Sequence, residues 1–438
     1  MIPQLVFIAF LGACSFFLTK NIRKIIRNIS LGKPKDMECV KWERWKMVLL
    51  IAFGQKKMFA RPISAILHLC VYVGFVIINI EILEIVADGV LGSHRILHPL
   101  LGSFYSTIIN LFEILALLVI LACVFFLLRR NVLKIPRFTM RELSQFSLWD
   151  ANLILIVEIV LMCAFLSMNA ADFLLQNRNI VHYTSTGPFV LSQFLSPLFE
   201  GLSTPQLEFT ERFSWWAHIL GIMVFANYLP FSKHLHIAMA FPNTYYSNLE
   251  AKGKLKNMPV VTREVKNMLG VALSEEEKKE ADANETDRFG AKDVPDLSWK
   301  NLMEAYTCTE CGQCTSVCPA NITGKKLSPR KIMMDTRDRM EEIGRNIDKN
   351  GHFVEDGKSL YGSYITAEEL LACTTCNACV EACPVNIDPL DIIVQLRRYR
   401  VMEEAKAPES WNAMFANLEN NQAPWKFSPS DRFNWANQ

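Results

Sequence analysis

The sequence predicts an all-α protein: a five-helix transmembrane bundle followed by a smaller helical domain on the inner side of the membrane. Three observations predict it. Hydrophobic residues make up 51% of the 438 and mean hydropathy is +0.16, too apolar for an ordinary soluble chain. The apolar residues are gathered ahead of Pro242, and charged residues dominate the stretch that follows. Beyond residue 307, two short cysteine runs share one spacing, C-x2-C-x2-C-x3-C-P.

A helix that crosses a bilayer needs roughly 20 mostly apolar residues. Five stretches qualify: 2–22, 62–87, 104–128, 151–175 and 210–239. Basic residues flank them at Arg23, Lys24 and Arg27, at Lys56, Lys57 and Arg61, and at Arg129, Arg130, Lys134, Arg137 and Arg141. These clusters fall on one side if the chain crosses five times from outside, which places the N-terminus in the periplasm of a bacterial inner membrane and everything after the fifth span in the cytoplasm. Residues 2–18 lack a basic segment ahead of them and read as a first span rather than an export signal. Residues 42–60 are too interrupted to cross and read as an interfacial segment. The scattered cysteines Cys14, Cys39, Cys70, Cys123 and Cys163 read as small hydrophobes. A formal charge of +2 points to no nucleic-acid partner.

Polar residues inside spans are costly unless paired or used. The last span carries His218, Asn227, Pro230, Lys233, His234 and His236. If it is one helix, His218 and His236 share a face roughly 27 Å apart along the axis. His68 starts the second span at the level of His236, so the two imidazoles can supply both axial ligands of a b-type haem; the plain alternative is interfacial polar residues. Glu81, Glu113 and Glu158 suggest a proton path or quinone pocket, and with Glu84, Asn169 and Asp172 they suit helix–helix hydrogen bonding equally.

The stretch PFSKHLH at 230–236, continued by IAMAFP, resembles the last helix of respiratory nitrate reductase gamma subunits and their relatives in membrane heterodisulfide reductases. The resemblance covers residues 2–242. It implies a haem b membrane domain over 1–242 that exchanges electrons with quinone or methanophenazine, with His236 and His218 as ligands from the last helix and His68 from the second. The family's further ligand on the second helix falls at Ile78 here. One or two haems are therefore expected, and a second would need His94 or His98 as partner for His218. Those two, in SHRILHP, share a face if that segment is helical; otherwise they cap a loop or line a quinone entry.

Residues 243–295 read as a charged linker lying over the domain that follows. In each cysteine run, three thiolates on one loop reach one cubane and the fourth reaches the other. Cys308, Cys311 and Cys314 then pair with Cys383 for one [4Fe–4S] cluster, and Cys373, Cys376 and Cys379 with Cys318 for the second; zinc would need a closed tetrahedral site without that crossing. Helix starts are legible at Ser328-Pro329, Thr366 and Asp388-Pro389. Residues 296–400 resemble the alpha-helical ferredoxin domains of succinate dehydrogenase iron–sulfur subunits and heterodisulfide reductases. In fused relatives, including membrane proteins that take electrons from electron transfer flavoprotein, this domain runs on into cysteine-rich CCG domains. Residues 401–438 carry Trp411, Phe415, Trp425, Phe427, Phe433 and Trp435 instead, and are expected either to dock a separate CCG-domain subunit or to pack on their own domain.

These readings converge on a membrane-bound electron-transfer subunit linking a cytoplasmic partner to menaquinone. Two alternatives stand beside it: a haem-free membrane anchor and assembly platform, and a cluster-bearing sensor. No glycine-rich dinucleotide loop follows a strand, so nicotinamide or flavin binding in this chain is not expected.

Overall fold

The computed structural model describes residues 1–35, 37, 40–283 and 288–437; Cys39 lies outside them. The described residues are helical, with two isolated bridges, Lys33 to Ser298 and Tyr361 to Ile365, in place of a sheet.

Four helices, Ile2–Ile29, Pro62–Leu91, Ser103–Asn131 and Gln145–Asn177, are long and apolar enough to cross a membrane. Even the shortest of them, 28 residues, is about 42 Å long at 1.5 Å per residue, against a hydrocarbon core of about 30 Å. Leu5, Phe16, Ile63, Leu83, Phe104, Phe125 and Val160 stay exposed on their outer faces, as lipid contact requires. Phe7, Ile109, Phe112, Phe165, Trp215 and Ile219 pack inside, and the buried carboxylates Glu81, Glu84, Glu113 and Asp172 point the same way.

The expected fifth span over 210–239 is not one helix. Its first part, Thr204–Tyr228, begins with a Ser203–Gln206 capping box and packs inside the bundle against Gln145–Asn177. It stops at Tyr228, and 3-10 turns at Leu229–Phe231 and Lys233–Leu235 lead into a new helix, His236–Tyr245. Pro230 has no N–H to continue the ladder, and Ser232 is extended at ψ 155. Asp150 of the fourth helix clamps the break, accepting from the Tyr228 hydroxyl at 2.6 Å and the Lys233 N–H at 3.1 Å. His218 and His236 therefore stand on two helices, and the single shared face does not exist.

Residues 41–60 hold no helix long enough to cross a membrane. A short helix, Lys41–Met47, widens into a turn at Val48–Phe53 and, through left-handed Gln55 (φ 48), into a 3-10 turn at Lys56–Ala60. Trp42, Trp45, Leu49, Phe53 and Phe59 remain exposed along it.

The second half has its own core, built from Leu302, Ile332, Met340, Ile343, Leu360, Leu370, Ile392 and Leu396, with Ile25 of the first long helix inserted. Ala291, Val294 and Leu297 belong to that core too, so the linker expected over 243–295 ends earlier than its polar composition suggests; two short helices, Pro259–Met268 and Glu275–Ala283, lie within it. The long helix Pro329–Asn350 starts at Ser328, whose Oγ accepts from Lys331 N–H, and ends at Gly351 in the left-handed region. Thr366 forms a capping box with Glu369, and Asp388 caps Pro389–Arg398.

The two halves are joined directly. Lys24 pairs with Asp348 at 2.7 Å, Lys35 with Asp391 at 2.9 Å, and Asn28 Nδ2 donates to the Tyr306 hydroxyl at 2.8 Å. A Cβ at Gly344 would come within 2.5 Å of Asn28, so this helix crossing needs a residue without one. The carboxyl-terminal helix Glu409–Asn421 buries no residue, and Phe427, Phe433 and Trp435 are exposed rather than folded back.

Candidate functional site

The break in the fifth element brings His236 up to His68. Their ring centroids are 6.3 Å apart with planes inclined at 45°. His68 Nδ1 bonds Gln55 Oε1 at 3.1 Å, and His236 Nδ1 donates to the Lys233 carbonyl at 2.9 Å. With each Nδ1 engaged, each Nε2 is left as the free ligand atom. A metal–imidazole bond of about 2.0 Å plus roughly 1.1 Å from nitrogen to ring centre puts two imidazoles on one iron about 6.2 Å apart. The pair fits a bis-histidine haem. His234 stands beside it, 5.7 Å from His236 by ring centroid and 3.9 Å from Glu158 Oε1.

Nothing comparable surrounds His218. Its Nδ1 donates to the Leu161 carbonyl at 2.9 Å and its ring neighbour is Phe165, while Ile78 is buried as an ordinary core residue. His94 and His98 do not share a helix face: the second long helix ends at Gly92, Arg95 is left-handed (φ 54), and His98 opens the next short helix. His94 packs against His182 and Tyr183, and His98 against Tyr105. His218 gains neither as a partner.

Cys308, Cys311, Cys314 and Cys383 line one pocket, with Gly312, Arg330 and Pro384. Cys318 and Cys379 are buried, Cys373 half-buried and Cys376 exposed; Cys318 lies in electrostatic reach of Cys373 and Cys379. Among the described residues no three cysteine, histidine or carboxylate side chains close on a single metal ion. In both runs the residues two and four places after the first cysteine are left-handed: Glu310 and Gly312, Thr375 and Asn377. Such turns aim successive N–H groups inward. Thr375 N–H reaches Cys373 Sγ at 3.4 Å and Ile387 N–H reaches Cys383 Sγ at 3.3 Å. Burial pushes the Cys308 thiol up to about 11 and those of Cys379 and Cys383 up to about 12, so binding a cluster there must displace thiol protons.

The histidine pair and the first cysteine run are tied together. Lys233, whose carbonyl holds His236, places its ammonium 2.9 Å from Glu310 Oε2, and Arg337 reaches Glu310 Oε1 at 2.8 Å. Against the upward push of burial, these two cations hold the Glu310 carboxyl down at about 2. Arg61, at the start of the helix that carries His68, donates to Ser316 Oγ at 3.0 Å, and Lys57 reaches the second run, donating to the Val380 carbonyl at 3.2 Å. Arg330 is fully buried between the Arg137 carbonyl at 2.7 Å and Glu142 at 2.6 Å.

A family profile described as "4Fe-4S dicluster domain" matches residues 307–387, the span that holds every cysteine of both runs. Among curated proteins, the chain is 26% identical over 439 residues to "Probable iron-sulfur-binding oxidoreductase FadF" of Bacillus subtilis, covering 94% of this chain and 57% of that protein. It is 24% identical over 418 residues to "EtfAB:quinone oxidoreductase" of Syntrophomonas wolfei, covering 89% and 53%. A third, "Probable membrane-anchored ferredoxin" of Chromohalobacter salexigens, is 33% identical over 165 residues, 34% of this chain and 24% of the relative. The chain is related to membrane-associated iron–sulfur oxidoreductases. It spans little more than half the length of the first two relatives. No solved structure matches. Four membrane-length helices and bacterial relatives make it a multi-pass protein of a bacterial inner membrane.

Sequence reasoning passed over Gln55, Asp150, Glu142 and Glu310, which hold the site together. Glu310 alone carried a local signal, as the one charged residue inside a cysteine run before Cys318. The others act across 13 to 188 residues of chain, a range that no spacing rule reaches.

Proposed function

We propose that this chain is the membrane-embedded electron-transfer part of a quinone-linked oxidoreductase, passing electrons between a cytoplasmic redox partner and menaquinone. The observation that carries the reading is the His68–His236 pair, held through both Nδ1 atoms and bonded through Lys233 to the first cysteine run. In this reading residues 1–242 form the haem b domain and the following helical domain holds two clusters, Cys308, Cys311, Cys314 and Cys383 on one and Cys373, Cys376, Cys379 and Cys318 on the other. Bound haem and [4Fe–4S] clusters supply one-electron carriers.

The chain's own residues set the order of the carriers. Cys376 is exposed, which favours the second set as the entry for a soluble donor. Lys233, Arg61 and Arg137 of the membrane half contact the first run, which favours the first set as the exit toward His68 and His236. The isolation of His218 favours one haem over two. The name of the Syntrophomonas relative favours an electron transfer flavoprotein as the partner. A cysteine-rich CCG part, on this polypeptide or another, is the expected site of any thiol chemistry.

The test is the haem and non-haem iron content of the detergent-purified protein, with reduced-minus-oxidised spectra. One low-spin haem and about eight non-haem irons, from two four-iron clusters, are expected. His68→Ala and His236→Ala should each abolish the haem bands while His218→Ala keeps them. Absence of haem bands from the wild type would establish the haem-free anchor instead.

A further inference from the structure

At the end of the bundle away from the cysteine domain lies a small polar cavity of about 20 Å³, room for a single water. Two of its lining side chains have buried atoms with no hydrogen-bond partner: Glu81 Oε2 and His94 Nδ1. Glu81 is 3% exposed and the His94 side chain 7%. Orphaned polar atoms are costly when buried, so a pair of them lining one cavity points to something bound between them.

The neighbours say what that is. Asp172 is matched by Arg95 at 2.7 Å, and Glu211 by Arg212 at 2.8 Å. Glu84 accepts from the Tyr105 hydroxyl at 2.7 Å and Leu97 N–H at 3.0 Å; Asp88 accepts from Arg95 N–H at 2.8 Å and Ser93 Oγ at 2.7 Å. Glu113, from the third long helix, accepts from Asn169 at 3.1 Å and Leu191 N–H at 2.8 Å. Arg95 pulls on Glu81 without bonding it, its nitrogens being taken by Asp172, Tyr105 and Asn169, so Glu81 Oε2 is left without a donor. Burying this carboxyl as an anion is far costlier than burying the neutral acid. As a neutral acid it carries an O–H that needs an acceptor. His94 provides one: its Nε2 faces Asp172 Oδ2 at 3.5 Å, which favours the proton on Nε2 and leaves Nδ1 as the lone pair.

We propose that Glu81 and His94 form a proton-holding site in which one water bridges the Glu81 carboxylic acid to His94 Nδ1. When the site passes its proton outward, the Glu81 O–H breaks, a water O–H is exchanged, and an N–H forms on His94 Nδ1, leaving a carboxylate and an imidazolium that faces Asp172. The way on to water is His182, which is exposed and has its ring centroid 5.6 Å from that of His94. Tyr183, on the other side of His94, is committed to Glu211 at 3.1 Å and does not compete for the proton. The site needs neither cluster nor haem. For quinone chemistry, which exchanges protons, it connects the interior of the bundle to the aqueous phase on the far side from the cysteine domain.

The test is infrared spectroscopy of the intact protein in nanodiscs at neutral pH, compared between H2O and D2O. A deuterium-sensitive carboxylic-acid carbonyl band is expected in the wild type and in Glu158→Gln. It should be lost from Glu81→Gln and displaced in frequency in His94→Phe. His182→Ala should slow its deuterium exchange. A band of unchanged intensity in Glu81→Gln would overturn the proposal, as would a band whose frequency is indifferent to His94→Phe; an exchange rate unchanged in His182→Ala would overturn the route to the surface. Should Glu81→Gln fail to accumulate, Glu81→Asp keeps the acid and should shift the band. These readouts stay the same if the protein binds no haem, so the two proposals fail separately.

Discussion

The two cysteine runs, Cys308–Pro319 and Cys373–Pro384, share one spacing and fold into one turn, yet the left-handed places of that turn meet different surroundings in the two. The first reads C-T-E-C-G and the second C-T-T-C-N. At the left-handed second place, Glu310 is gripped by Lys233 and Arg337, whereas Thr375 bonds only locally, to the Thr374 carbonyl at 2.7 Å and Cys373 Sγ. At the left-handed fourth place, a Cβ on Gly312 would come within 2.6 Å of Arg330 Nη1 and 3.3 Å of Arg137. Asn377 occupies the same conformation (φ 61), half-buried beside the chain at Gly253. The cysteines fix the chemistry of the turn. The residues between them decide how closely it is gripped by the membrane half.

The comparison breaks most completely if the crossed ligation is wrong. Cys383→Ser should remove the electron paramagnetic resonance signal of the docked cluster and leave the exposed one, and Cys318→Ser should do the reverse. If each substitution instead harms the cluster of its own run, the two runs are separate sites and the shared pocket of Cys308, Cys311, Cys314 and Cys383 has another use. Next in size is Glu310→Ala, which strands two cations: breaking a buried pair of this kind costs about 3–5 kcal/mol. The melting temperature in detergent should fall markedly, while Thr375→Ala should stay within about 0.5 kcal/mol of wild type.

A swap of the fourth places sharpens the same point. Asparagine tolerates the left-handed region, so Gly312→Asn suffers mainly from its side chain meeting Arg330 and Arg137, an overpacking cost of about 1–3 kcal/mol. Asn377→Gly changes no buried contact of this kind and should cost only a few tenths of a kcal/mol, the usual size of a surface substitution. Equal losses from the two swaps would mean that the backbone angle, rather than docking, decides which residue stands there.

Much of this was legible in advance because it is local. Ser328, Thr366 and Asp388 cap helices where they were expected to, and hydropathy alone picks out the four long helices. The fifth failed at Pro230 and Ser232, because an apolar run continues on both sides of the break and only Asp150, 83 residues before Lys233, reveals that the gap is clamped. The same limit hid the start of the second core, where Ala291, Val294 and Leu297 are spaced among charged neighbours and look like linker. SHRILHP offered a helical spacing of histidines, but the left-handed backbone at Gly92 and Arg95 is set by contacts of Asp88 and Asp172 with Arg95. His68 and His236 could be matched by depth alone, but their separation depended on the break.

The smallest expected effect concerns how the halves hold together near neutral pH. Lys300 and Glu304, one turn apart and both buried, meet at 2.6 Å, and Lys300 also donates to Asn243 of the membrane half at 2.8 Å. Burial raises the Glu304 carboxyl to about 7 against the pull of Lys300, and burial lowers Lys300. An unfolded glutamate titrates near about 4.3. Between those two values the folded protein holds a proton that the unfolded chain has released, so stability is fully present below the lower value and declines as pH rises through about 7. Glu304→Gln, neutral at every pH, should flatten the melting temperature between pH 5 and pH 8, roughly the window in which this carboxyl changes state. A slope that survives the substitution would assign it to another group and leave the Lys300–Glu304 pair as a fixed ionic contact within one helix.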